Sequence, residues 1–488
     1  MPLIDIKNLN FSYGSNTVFE NVNIQIDSNW KLGLVGRNGR GKTTLLKILK
    51  GELEYTGAIS SSVDFDYFPF ETETAPTTLE TLRLINPQLK EWEIIKELSL
   101  LSVEEETLYR PFDSLSLGEQ TKAMLAALFT KGNNFLLIDE PTNHLDVLGR
   151  KIVNDYLKTK KGFIIVSHDR VFLDSCVDYI LSINRNNIEL QKGDFSSYFE
   201  NKQMQDNFET LQNRKLKKEI KKLEQSARQS AAWSNKIEGS KIGAHVYDRG
   251  FVGHKAAKMM KRSKNIEKRK EKAAEDKSAL MKNIDNYEDI TLKYVPYHKS
   301  NLVSAEGLSA FYGDKAVFKD LSFNINVGDR VCIRGKNGAG KSSLIKLLAG
   351  GGGVDYTGKL RIPPGLKISY LTQVTSYLKG PLKEYIMDQN LDEAFFKTIL
   401  RKLDFGREQF DFNLESYSEG QRKKVLVAKS ICEGANLFIW DEPLNYIDIF
   451  SKIQIEDMIL KVNPTMVFVE HDEAFVNKIA TGFIDLKI

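Results

Sequence analysis

Two segments of this sequence have residue types and spacing suited to holding a polyphosphate. Gly36-Arg37-Asn38-Gly39-Arg40-Gly41-Lys42-Thr43 and Gly335-Lys336-Asn337-Gly338-Ala339-Gly340-Lys341-Ser342 both follow the pattern G-x-x-x-x-G-K-[ST]. Glycines at this spacing let backbone N–H groups approach phosphate oxygens, at a helix N-terminus where the dipole favours anions. The pattern assigns Lys42 and Lys341 to the β- and γ-phosphates, and the hydroxyls of Thr43 and Ser342 to Mg2+. Gly36, Asn38, Gly39, Gly41 and Thr44 complete one cradle; Gly335, Asn337, Gly338, Gly340 and Ser343 complete the other. Asp139 and Asp441 close apolar runs, where a carboxylate can hold Mg2+ through water. Glu140 and Glu442 follow them, placed to orient or deprotonate an attacking water. An acidic pair after a strand can also be a helix N-cap. His168 and His471 each end a further apolar run; such a histidine is either a packed residue or, given the matched placement, a γ-phosphate contact.

These landmarks come in pairs. The two glycine-rich loops lie 299 residues apart, as do Phe11-Ser12-Tyr13-Gly14 and Ala310-Phe311-Tyr312-Gly313. Leu136-Leu137-Ile138-Asp139-Glu140-Pro141 recurs 302 residues on, as Phe438-Ile439-Trp440-Asp441-Glu442-Pro443, and Ser167-His168-Asp169 recurs after 303, as Glu470-His471-Asp472. Four landmarks in one order at near-constant offset mean duplication. The reading is an α/β chain of two homologous domains, 1–195 and 299–488, separated by an insert, 196–298. Short apolar strands precede the functional loops: Leu32 to Val35, Phe135 to Ile138 and Phe163 to Val166, then Val331 to Ile333, Leu437 to Trp440 and Met466 to Val469. Such strands suit a largely parallel sheet buried on both faces.

At 488 residues the chain exceeds one ordinary core. The net charge of +4 hides its distribution. Residues 201–300 hold 24 Lys+Arg against 13 Asp+Glu, whereas the rest of the chain holds 45 against 52. A basic block in an otherwise acidic chain points to an acidic polymer as partner. In this block Leu216, Ile220, Leu223 and Ala227, then Met259, Ile266, Ala273 and Leu280, trace coiled-coil seams. Gly239, Gly243, Gly250 and Gly253 break the pattern between them. The spacing predicts two long antiparallel helices with a tip near 239–254; a solvated inter-domain linker is the alternative. Lys241, Lys255, Lys258, Lys261, Arg262 and Lys264 suit phosphate contacts, and His245, Tyr247, Arg249 and Phe251 suit stacking on nucleotides or packing on their own hairpin. The longest apolar run has seven residues, Ala123 to Phe129, against about 20 for a membrane span. The N-terminus lacks a secretory signal, and Cys176, Cys332 and Cys432 are isolated, so a reducing cytoplasm is expected.

Walker A, an LSGGQ-type signature, Walker B with Glu and a switch histidine, in that order, resemble ABC ATPase domains. The signatures are Leu115-Ser116-Leu117-Gly118-Glu119-Gln120 and Tyr417-Ser418-Glu419-Gly420-Gln421-Arg422; Asn143-His144-Leu145-Asp146 and Asn445-Tyr446-Ile447-Asp448 resemble D-loops. The resemblance implies that Tyr13 and Tyr312 stack on adenine and that Gln373 is a Q-loop ligand of Mg2+. Head-to-tail closure is implied too: Ser418, Gly420 and Gln421 would complete the Lys42 site, and Ser116, Gly118 and Glu119 the Lys341 site. Two such domains joined by a basic helical hairpin resemble the ABC-F class of ATPases, in particular members that protect ribosomes from lincosamides, pleuromutilins and streptogramin A. Asn29-Trp30-Lys31-Leu32-Gly33-Leu34, Ala232-Trp233-Ser234 and Trp440-Asp441-Glu442-Pro443-Leu444-Asn445-Tyr446 support that subgroup. The implied partner is the 70S ribosome, with 23S rRNA and P-site tRNA near the E site and peptidyl-transferase centre, met by a monomer whose two domains pair within the chain. A housekeeping translation factor or a transporter ATPase subunit are the other readings. Phe70 stands where the first Q-loop glutamine is expected, Leu117 and Glu419 replace signature glycines, the tip is short, and neither an arm in the first domain nor a C-terminal extension is expected.

Overall fold

The computed structural model describes residues 3–14, 16–70, 75–142, 145–184, 187–239, 289–313, 315–336 and 338–486, with positions 261, 264, 265, 268, 269 and 272. The chain forms two compact units: Met1–Tyr198 with Tyr287–Ile488, and Phe199–Asn286.

The larger unit repeats one α/β design. Strands β1 (Leu3–Tyr13), β2 (Asn16–Asp27) and β4 (Thr56–Ser60) form an antiparallel sheet in the order β2-β1-β4. The second sheet contains β3 (Lys31–Gly36), β5 (Asp64–Phe68), β6 (Asn134–Asp139), β7 (Phe163–Val166), β8 (Tyr179–Ile183) and β9 (Ile188–Lys192), in the order β5-β6-β7-β3-β8-β9. It is parallel except at the β9 edge. The repeat supplies β10 (Asn301–Tyr312), β11 (Lys315–Asn326) and β13 (Asp355–Arg361), ordered β11-β10-β13. Its parallel sheet, β14-β15-β16-β12-β17, comprises β12 (Arg330–Arg334), β14 (Ile368–Leu371), β15 (Leu437–Asp441), β16 (Met466–Val469) and β17 (Gly482–Asp485). Strands β7 and β16 are buried at every position, as the unbroken apolar runs predict for a sheet covered on both faces.

Helices α1 (Lys42–Lys50), α2 (Thr78–Ile85), α3 (Glu91–Leu100), α4 (Leu117–Phe129), α5 (Val147–Lys158) and α6 (Arg170–Cys176) belong to the first domain. Leu45 and Leu46 of α1 pack between the sheets with Leu137 and Val166. After α7 (Phe195–Gly239), the second domain contributes α8 (Lys341–Leu348), α9 (Leu382–Asp388), α10 (Glu393–Lys402), α11 (Glu419–Glu433), α12 (Ile449–Val462) and α13 (Glu473–Ile479). No described helix is long and apolar enough to cross a membrane.

The first turn of α7 is fixed in the larger unit. Ser196 donates to both oxygens of Asp174 (2.8 and 2.6 Å). The Tyr198 hydroxyl lies 2.7 Å from Ser182 Oγ, and the Phe195 ring is 6.5 Å from that of Phe450 at the start of α12. Within the second unit α7 exposes Lys215, Lys217, Lys218, Lys221 and Lys222, with Leu216 and Ile220 partly buried. Lys261 and Lys264 have helical backbone; Lys241, His245, Tyr247, Arg249, Phe251, Lys255, Lys258 and Arg262 lie outside the described residues. The insert was expected to run to 298, but the chain rejoins the larger unit at Tyr287. Ile290 and Leu292 are apolar enough to enter the second domain's core, where they are 5% exposed, and Val295 N donates to Ala435 O.

Candidate nucleotide sites

Lys42 and Lys341 each open a helix, capped by Gly41 (φ 94°) and Gly340 (φ 90°) in the left-handed region. Glycine is required at both: a Cβ would come within 2.5 Å of Val18 Cγ1 at Gly41 and 2.3 Å of Val317 Cγ1 at Gly340. Lys42 Nζ donates to Gly36 O (2.8 Å) and Asn38 Oδ1 (3.2 Å); Lys341 Nζ donates to Gly335 O (2.9 Å) and Lys336 O (3.2 Å). Each ammonium is thus held over its loop by the loop's own acceptors.

Thr43 Oγ1 donates to Asp139 Oδ2 (2.9 Å), which also accepts from the Tyr67 hydroxyl (3.0 Å). Ser342 bonds Asp441, whose Oδ1 is buried without a partner among the described residues. A hydroxyl and a carboxylate side by side at each site are hard oxygen donors, the set that Mg2+ takes together with phosphate and water. Asn337 lies outside the described residues.

The two glutamates share a backbone geometry but differ in surroundings. Glu140 has φ 52° and Glu442 φ 48°, a left-handed conformation costing a non-glycine residue about 1–3 kcal/mol. It is held by bonds from Glu140 N to Val166 O (2.9 Å) and from Glu442 N to Val469 O (3.0 Å). Glu442 Oε2 accepts from Gln373 Nε2 and Asn445 Nδ2, both at 2.7 Å, and His471 Nε2 lies 3.5 Å from Oε1. Burial pushes the Glu442 carboxyl up, but the His471 and Gln373 bonds and the Lys423 charge outweigh it and hold the group below the ordinary carboxylate value. Neither oxygen of Glu140 has a hydrogen-bond partner among the described residues, although His168 Nε2 approaches to 3.2 Å. Burial, then the Asp139 charge, push Glu140 up to about 8 against the pull of Lys42 and Lys452. Burial likewise holds His168 well below its usual value, with Lys42 and Lys452 adding to the effect. Phe70 explains part of the difference, since a phenyl ring cannot donate the bond that Gln373 gives. Gln373, expected on the metal, donates through its amide nitrogen to the glutamate. Gln373→Phe, which copies the first site, is expected to lower ATP turnover by about 10–100-fold through misplacement of Glu442, read by phosphate release.

The domains meet head-to-tail around the Lys42 loop. A cavity of about 510 Å³ is lined by Tyr13, Asn38, Gly39, Gly41, Lys42, Thr43, Thr44, Asp139, Glu140 and His168 of the first domain, and by Ser418, Glu419, Gly420 and Tyr446 of the second. Gly420 admits the close approach: a Cβ there would lie 2.5 Å from Tyr446 O and 3.1 Å from Asn38 Nδ2. Asn38 Nδ2 donates to Tyr446 O (3.1 Å), Arg37 to Gln454 (3.3 Å) and Arg40 to Asp404 (3.2 Å). Tyr446, in the left-handed region at φ 63°, was not assigned to the site from sequence; its place in the D-loop-like segment was the available signal.

The Lys341 side differs. Its cavity of about 450 Å³ takes Gly335, Lys341, Glu470 and His471 from the second domain and Val147 from the first. Ser116, Gly118 and Glu119 were expected there and are not among its lining. Val147 and Leu148 are 44% and 65% exposed, whereas their counterparts Ile449 and Phe450 are 3% and 4% exposed. The sequence explains this: the positions equivalent to Arg40 and Asp404 are Ala339 and Ser102, and those equivalent to Arg37 and Gln454 are Lys336 and Ile152. None of these can rebuild the bonds. Glu119 and Gln421 act as caps, each closing a capping box with Ser116 or Ser418 at the start of α4 or α11. Tyr312 is 47% exposed, its hydroxyl 3.3 Å from Ser343 Oγ, and Tyr13 is 54% exposed.

Residues 19–143 and 318–445 match the family described as ABC transporter, and the chain belongs to it. Both domains are therefore ATP-binding and the chain is an ATP hydrolase. Within the family it is an ABC-F ATPase. It is 28% identical to the ribosome protection protein VmlR of Bacillus subtilis (strain 168), covering 98% of this chain and 85% of that protein. It is 27% identical to the ATP-binding protein Uup of Caulobacter vibrioides, over 99% and 77% of the two chains. Among solved structures, the archaeal ribosome recycling factor aABCE1 in complex with the stalk protein aP1 shares the fold, with TM-score 0.61, 18% identity, and coverage of 98% of this chain and 87% of that one.

Proposed function

We propose that this chain binds the ribosomal E site in its ATP-closed state and uses the 196–298 insert to protect the peptidyl-transferase centre from lincosamides, pleuromutilins and streptogramin A. The observation that carries this reading is a paired ATPase unit that already forms a two-domain cavity at Lys42, interrupted by a 45-residue helix with lysines exposed along it. The likeness to a ribosome protection protein along nearly the whole chain supports it. Nucleotide closure would set the insert, and its lysines would meet rRNA phosphates; Lys241, Lys255, Lys258, Lys261, Arg262 and Lys264 are assigned to that contact. His245, Tyr247, Arg249 and Phe251 are assigned to the tip, acting on the drug or on the bases that line its site. The place of action is the cytoplasm.

In ATP, the double variant Glu140→Gln/Glu442→Gln is expected to co-sediment with 70S ribosomes. Affinity should fall steeply with salt, as counterion release dictates. Co-purification with a membrane complex and no ribosomes would sink the proposal. The unaltered chain, expressed in a sensitive bacterium, should raise lincosamide and pleuromutilin tolerance, and deletion of 240–253 should abolish this with ATPase activity retained. Ribosome binding without any change in susceptibility would point to a housekeeping translation factor.

A further inference from the structure

Helices α5 and α12 follow the segments ending at Asp146 and Asp448, and each carries a cation one turn in: Arg150 and Lys452. Both make the same pair of contacts. Lys452 Nζ donates to the backbone oxygen of His168, in the other domain (3.0 Å), and to Asp472 Oδ2 in its own (3.0 Å). Arg150 Nη1 donates to the backbone oxygen of His471, in the other domain (3.3 Å), and to Asp169 Oδ2 in its own (3.4 Å). Asp169 and Asp472 directly follow the two histidines and cap α6 and α13. Each cation therefore holds its own domain's histidine turn by a carboxylate and the opposite one by a carbonyl.

We propose that Arg150 and Lys452 are positioning residues that couple the two ATP sites by linking the two histidine turns. A shift of the His168 peptide must either carry Lys452 with it or break a bond that water cannot replace, because the Lys452 side chain is only 8% exposed. Through Asp472 the shift reaches His471. The return path runs through Arg150, which is 17% exposed and held at longer distances, so the Lys452 link is the stiffer one. Arg170, next to Asp169, reinforces that side with a two-pronged pair to the buried Glu456. The equivalent positions hold Glu473 and Asn154 and cannot form that pair. The inference rests on the assignment of His168 and His471 to the γ-phosphates.

The test is the ATP dependence of hydrolysis by the full chain. The unaltered protein and Lys452→Arg should show a Hill coefficient above 1, and Lys452→Met a value of about 1 with kcat reduced roughly tenfold and KM changed less than about threefold. Lys452→Met also strands the Asp472 charge and lowers the melting temperature. Lys452→Met/Asp472→Asn removes both charges, so it should regain stability and stay uncoupled. A Hill coefficient of 1 in the unaltered chain, or cooperativity that returns with stability in the double variant, would overturn the proposal. Undiminished hydrolysis in His471→Ala would instead refute the histidine assignment.

Discussion

Glu442→Gln is expected to lower steady-state ATP hydrolysis by about 10²–10⁴-fold, the span of a lost general base. At pH 7, Glu140→Gln should cost several-fold less. Glu442 is ionised near neutrality and fixed by Gln373 and Asn445, ready to take a proton. Glu140, pushed up to about 8, is mostly protonated at pH 7, and its oxygens have no hydrogen-bond partner among the described residues. Its fraction in the base form grows as pH rises through about 8, so the penalty of Glu140→Gln should be larger at pH 9 than at pH 7. The same shift carries a stability sign. A carboxyl raised above its ordinary value favours the fold below that value, and the contribution is lost as pH climbs through 8. Single-turnover phosphate release from each variant decides the matter, and equal losses at pH 7 would remove the inequality of the sites.

The second large effect concerns the pair beneath the Lys42 site. Lys424 Nζ lies 2.8 Å from Asp448 Oδ2 and donates to Leu403 O (2.7 Å), with side-chain exposures of 2% and 0% for the ion pair. It ties the helix behind Ser418 to the segment that bears Tyr446. Lys424→Met is expected to destabilise the second domain by about 3–5 kcal/mol, since it leaves a carboxylate buried without its counter-ion. Lys424→Met/Asp448→Asn should recover most of this, because asparagine can still cap α12 as Asp448 does toward Ser451 N. Burial pushes Asp448 up, but Lys424 outweighs it and holds the acid far below its ordinary value. Its stabilisation is therefore complete above about pH 4 and is lost as pH falls toward that depressed value. Denaturant titration of the three chains at pH 7 and pH 3 measures both effects. A single variant as stable as the double would show that the pair adds little.

The chemistry was the legible part of this sequence. Glycine spacing and the order of apolar runs identified both cradles, and Phe163–Val166 and Met466–Val469 are strands at the expected bounds. Such signals are local: strand, turn and helix start lie within a dozen residues. What stayed hidden depends on residues far apart. The Arg40–Asp404 pair joins positions 364 apart, and no periodicity announces it. Glu119 and Gln421 were assigned to ATP from their place in a signature, and each also closes a four-residue capping box that the signature did not suggest. Ile290 and Leu292 sat in a stretch whose charge suggested linker, and only their partners in the second core show where it ends.

The helix Phe195–Gly239 runs without a break from the larger unit into the basic insert. Its 45 residues extend about 67 Å at 1.5 Å per residue. Its first turn is bolted to Asp174 and Ser182 and rests against Phe450, on the helix that carries Lys452. One continuous helical backbone therefore runs from contacts beside the helix of Lys452 into the lysine-bearing segment, with no intervening loop.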